Sequence, residues 1–186
     1  MDEYWRAFID CFVEATARIG EPHFSLAVAG RATPAIRERV YCYELYHQLR
    51  GLLPDAARFP FTLHGEVDKR GHPVLGERLQ GRNPDFIVHI PGHMGAQANL
   101  AVVEVKPCGS FGEPVTKDAD ALVAFVQEAD YFRGVGLVFG GNERRFDDHM
   151  RTVFAPAKHL HERLHLYWHT ACGERAQRVE RWWDRV

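Results

Sequence analysis

The feature that most constrains the fold is a pair of short apolar, β-branched runs set close together. They are Asn83-Pro84-Asp85-Phe86-Ile87-Val88-His89-Ile90 and Asn99-Leu100-Ala101-Val102-Val103-Glu104-Val105-Lys106-Pro107. Bounded by Pro, Gly and Asn, each has the length and composition of a strand, and residues 91–98 form the loop between them. Strand side chains alternate, so Glu104 and Lys106 share a face with Leu100 and Val102, while Ala101, Val103 and Val105 take the other. An antiparallel hairpin then sets Asp85 beside Glu104. Two carboxylates and an ammonium at the end of buried strands are costly unless they pair or bind something. A divalent cation is the ligand that such a set suits.

Around this hairpin the periodicity predicts a helix over residues 2–19, with Trp5, Phe8, Ile9, Phe12 and Val13 at helical spacing and Gly20 as the stop. Residues 21–33 read as a connector with an extended piece from Phe24 to Val28. A second helix is expected from Pro34 to about Leu53. Its stripe of Ile36, Val40, Tyr43 and His47 lies nearly opposite one of Tyr41, Leu45, Leu49 and Leu52, so it is expected to be sandwiched. Glu44 sits at the edge of the first stripe as a candidate functional acid. Residues 61–68 alternate like a half-exposed strand. After the hairpin come a helix capped by Thr116 or Asp118 and running to Tyr131, an apolar strand over 134–139, a helix over 143–154 and an edge strand over 164–169. The expected architecture is α/β: a mixed central sheet flanked by helices, with core order α-β-β-β-α-β. An extra N-terminal helix and a C-terminal helix and strand elaborate it within a single domain over 1–186.

Composition narrows the function. The 186 residues, 46% hydrophobic and 26% charged, suit one globular domain with a sizeable core. A formal net charge of −2 gives no global attraction to nucleic acid, so a grip on phosphate must be local. The four cysteines, Cys11, Cys42, Cys108 and Cys172, form no Cys-x-x-Cys pair. They are expected to be reduced thiols of a cytoplasmic protein, and no apolar run is long enough to span a membrane.

The order of elements and the placement of these residues resemble the PD-(D/E)xK nuclease superfamily. The resemblance rests on Glu44 in the first core helix, Pro84-Asp85 opening the second core strand and Glu104-Val105-Lys106 on the third, and covers about residues 35–140. It implies Mg²⁺-dependent hydrolysis of DNA phosphodiesters, with Mn²⁺ able to substitute. DNA is preferred over RNA because most members act on DNA. By the family pattern Asp85, Glu104 and the carbonyl of Val105 hold the metal, Lys106 assists the attacking water, and Glu44 completes the acidic pocket. The alternative is a catalytically silent module of the same fold that binds nucleic acid or protein within a larger restriction or defence complex. A homodimer is also open.

Secondary signals are weaker. Lys69, Arg70, Arg78 and Arg82, in a long Gly-rich loop, are the expected phosphate contacts. Glu66 and Asp68 share a strand face that could border the site. Gln127 and Tyr131 match the Gln-x-x-x-Tyr element of RecB-like members but fall at a helix end. The tail arginines with Trp182 and Trp183 are interleaved with acids, as in a packed amphipathic end. His159, His161, His165 and His169 lack the cysteines or His-Glu-x-x-His register of a zinc site.

Overall fold

The computed structural model describes residues 1–66, 83–93, 95–110 and 113–186, without the side chains of 113–118. Among the described residues six strands form one mixed sheet in the order β1-β2-β3-β4-β5-β6. These are β1 (Thr62–Gly65), β2 (Phe86–His89), β3 (Asn99–Pro107), β4 (Arg133–Phe139), β5 (Leu164–His169) and β6 (Gln177–Arg178). The first three form an antiparallel meander, β3-β4 and β4-β5 are parallel, and β6 returns antiparallel. Helix α1 (Asp2–Ala17), the single turn α2 (Glu21–Phe24) and α3 (Glu38–Leu52) precede the sheet. The parallel connections are made by α4 (Glu113–Gln127) and by α5 (Glu143–His149) with its extensions. This is the α/β architecture and core order expected from the sequence.

Two apolar clusters, one on each face, hold the sheet. Phe8, Phe12, Tyr41, Leu45 and Leu49 from α1 and α3 pack on Ala101, Val103, Val105 and Leu137. On the other face Leu122, Phe125, Phe146 and Phe154 cover Val102, Val138 and Leu166. A strand covered on both sides needs no polar alternation, and six of the seven residues of β4 are buried. Burying a Phe or Leu fully is worth about 1.5–3 kcal/mol, so these layers dominate the stability. At Gly136 in β4 an added β-carbon would come within 2.5 Å of Leu166 and 2.9 Å of Phe154. The glycine lets both side chains lie on the strand.

Several local expectations change. Helix α3 starts at Glu38 rather than Pro34, because Ala35 is tied back to Leu26 in an isolated bridge. Its first stripe is not covered, so the helix is not sandwiched: Ile36 is 44% and Tyr43 62% exposed, and His47 is also exposed. The extended piece at 24–28 is the end of α2 and that single bridge. The helix expected over 143–154 is α only to His149, then π-helical over Met150–Phe154 and 3₁₀ over Ala155–Leu160. Strand β5 is not the edge, since β6 pairs outside it. Helix α4 begins at Glu113, before either cap candidate. No helix of the described residues is long and apolar enough to cross a membrane.

Candidate active site

The site lies where β2 begins and β3 ends. Phe86 pairs with Val103, so β3 runs on past the end of its partner. The N–H of Val105, directed to that vacated side, donates to Asp85 Oδ2 at 2.7 Å. A strand residue presents its N–H and C=O to the same edge, so the Val105 carbonyl also leaves toward Asp85. Glu104 and Lys106 point to the α4 face, 4% and 8% exposed, and Glu104 is hydrogen-bonded to Asp85. Burial pushes the Asp85 carboxyl up to about 6, against the lowering effects of Lys106, the Val105 N–H and the bond to Glu104.

The helix supplies an acid, but a different one from that expected. Lys106 Nζ lies 2.9 Å from Glu38 Oε1. Glu44 instead accepts from Gln48 Nε2 at 2.7 Å and faces His23 Nε2 at 3.8 Å. At 3.6 residues per turn, Glu44 is about 120° around the helix from Glu38. Glu38 falls at the centre of the stripe made by Tyr41, Cys42, Leu45 and Leu49, all buried. An acid in the middle of a buried stripe was the signal that sequence reasoning passed over. Its place in the first turn of α3 also suits the positive end of the helix dipole.

Glu38, Asp85, Glu104 and Lys106 line an open cavity of about 280 Å³, joined by Arg39, Cys42, Glu66 and Asn83. Arg39 and Glu66 form an exposed ion pair at 3.6 Å across its mouth. Burial holds the Cys42 thiol well above its ordinary pKa, so it stays neutral. Beyond Lys106, His149 is fully buried in α5. Burial pushes its imidazole down to about 4, and the Lys106 charge acts in the same direction.

The other sequence candidates lie elsewhere. Tyr131 is buried in the core, and Gln127 meets His159 at 3.0 Å on the surface. The four C-terminal histidines are dispersed: His161 against Trp183, His165 against Trp5, His169 against Tyr41. Trp182 is buried, with its indole N–H on the Leu164 carbonyl, and the tail arginines pair with Glu14, Glu180, Asp184 and Asp147. Lys69, Arg70, Arg78, Arg82 and Asp68 lie outside the described residues.

The donor set fits a hard cation. Two carboxylates share a hydrogen bond at a cavity wall, one of them retaining a proton to about pH 6, and a carbonyl leaves the same edge. A cation replacing that proton would take oxygen ligands only, as Mg²⁺ does. Among the described residues no three His, Cys, Asp or Glu side chains converge as a ready-made ligand cluster, so open positions would fall to water and substrate. No family model, curated protein or solved structure matches the chain.

Proposed function

We propose that this chain is a Mg²⁺-dependent nuclease of the PD-(D/E)xK type, hydrolysing DNA phosphodiester bonds. The observation that carries the proposal is the hydrogen-bonded Asp85–Glu104 pair beside Lys106 in a polar cavity open to solvent. The core order of the sheet and helices supports the same reading. Asp85, Glu104 and the Val105 carbonyl would hold the cation. When bound, it would neutralise charge on the phosphate and lower the pKa of an attacking water.

The chain's own residues do the rest. Lys106, near its strand end, presents an ammonium to a phosphate oxygen or to the water, stabilising negative charge as it builds. Glu38 fixes that ammonium in place. Arg39 at the cavity mouth offers a positive charge to the incoming backbone.

Purified protein with Mg²⁺ or Mn²⁺ is expected to cleave DNA. Glu104→Ala and Lys106→Ala should each abolish cleavage while leaving the circular dichroism of the fold unchanged. Cleavage undiminished in both variants would place the chemistry elsewhere. The second reading, a silent module, draws on the Lys106–Glu38 ion pair, which already occupies the amine. Calorimetry separates the two, since a module would show no Mn²⁺ binding sensitive to Asp85→Asn.

A further inference from the structure

Beside the carboxylate cavity lies a second one of about 320 Å³, walled by the rings of Tyr43, Tyr46 and Phe86 with Gly65 between them. The two cavities are continuous in their lining, since Cys42, Glu66 and Asp85 belong to both. Tyr46 is fixed by its O–H on the Leu63 carbonyl at 3.3 Å, and its ring is tilted 33° against Phe86 with centroids 6.0 Å apart. A β-carbon at Gly65 would stand 3.5 Å from the Asp85 carbonyl and 3.8 Å from the Tyr46 ring, so the glycine keeps this space open. Tyr43 leaves 62% of its surface in water on the rim, a large aromatic face that no part of the described fold covers.

We propose that this second cavity takes one unpaired base of single-stranded DNA, that of the nucleotide next to the phosphate held at Asp85 and Glu104. The inference rests on the nuclease reading of the neighbouring cavity. Its volume is at the small end of the range for ligand pockets, about 300–1,000 Å³, which suits one base rather than a base pair. Aromatic walls hold any base by its π face, without sequence preference. A base within a duplex enters only after unstacking and unpairing, so single strands, frayed ends and flaps are favoured substrates. With a net charge of only −2, stacking supplies grip that a long-range field does not.

The test is binding without turnover. Labelled oligothymidylate is titrated by fluorescence anisotropy in Ca²⁺, alone, paired with oligodeoxyadenylate, and carrying one abasic position. The single strand is expected to bind at least tenfold more tightly than the duplex. Tyr43→Ala and Tyr46→Ala should each weaken single-strand binding by about tenfold, with the exposed Tyr43 as the variant least able to disturb folding. Equal affinity for duplex and single strand, or full affinity in Tyr43→Ala, overturns the base site. So does sedimentation showing Tyr43 buried between two copies of the chain. Those results leave Glu104-dependent cleavage standing. Strands held through Tyr43 and Tyr46 but never cut would keep the base site and overturn the nuclease.

Discussion

The Lys106 ammonium is held 2.9 Å from the Glu38 carboxylate, a residue 68 positions earlier in the chain. Strand β3 supplies the amine and the first turn of α3 supplies its partner, so the pair spans the rim of the cavity. On the proposed nuclease function, Glu38→Gln, which removes the charge that orients Lys106, is expected to lower cleavage by about 10–100-fold, the usual cost of losing such a partner. The loss should fall on kcat rather than KM, and Glu44→Gln should leave both unchanged. Steady-state kinetics of the two variants decides it. Equal losses would return Glu44 to the site.

Asp85 is expected to weaken the cation-free fold at neutral pH. Its carboxyl is raised from 3.8 to about 6, chiefly by burial. The native state therefore binds more protons than the unfolded chain between those values, and stability falls as pH rises across that window. Above it the loss is on the order of 3 kcal/mol. Asp85→Asn keeps an acceptor for the Val105 N–H without the charge. In a chelator near neutral pH it should raise Tm by several degrees while eliminating stabilisation by Mn²⁺. Scanning calorimetry with and without Mn²⁺ reads both effects, and a lower Tm in chelator would refute the argument.

Gly136 carries a packing prediction. With Leu166 at 2.5 Å and Phe154 at 2.9 Å from a modest β-carbon, Gly136→Ala overpacks the face that also carries Glu104. The expected cost is about 1–3 kcal/mol, measured as a lower midpoint in urea unfolding. Gly51, where a β-carbon would meet nothing within 4 Å, is the control, since Gly51→Ala in α3 should be neutral or stabilising.

Acid should destabilise the protein through two histidines of β5, the half-buried His165 and the buried His169. Burial pushes His165 and His169 down to about 4 from an ordinary 6.5. The unfolded chain takes up those protons first, so stability is complete above 6.5, falls as pH drops toward 4, and levels off below. His169 contributes on the order of 3 kcal/mol to that fall, and the half-buried His165 less because solvent screens it. His165→Phe, which keeps a ring against Trp5, should make the urea midpoint less sensitive between about pH 7 and pH 5. An unchanged pH slope would remove His165 from the account.

Local pattern made much of this molecule legible. The short apolar, β-branched runs at 86–89 and 99–107 and the apolar run at 134–139 read as buried strands, and the helix before the last permits a parallel return. Strand alternation set Glu104 and Lys106 on one face with Val102, but Leu100, expected with them, packs with Ala101 and Val103 because the register shifts opposite Val88 and His89. The exposed Tyr43 stripe was misread for a different reason. Apolar spacing says which residues share a helix face, not whether another layer arrives to cover it.

What the sequence determined by itself was therefore the order of elements and the Asp85–Glu104–Lys106 constellation, both products of short-range backbone geometry. What only the tertiary structure decided was the choice of Glu38 over Glu44 and the aromatic cavity beside the acids. Those depend on the rotation of α3 about its axis. That rotation is set by where Tyr41, Leu45 and Leu49 find their burial on the sheet, a contact between segments far apart in the chain.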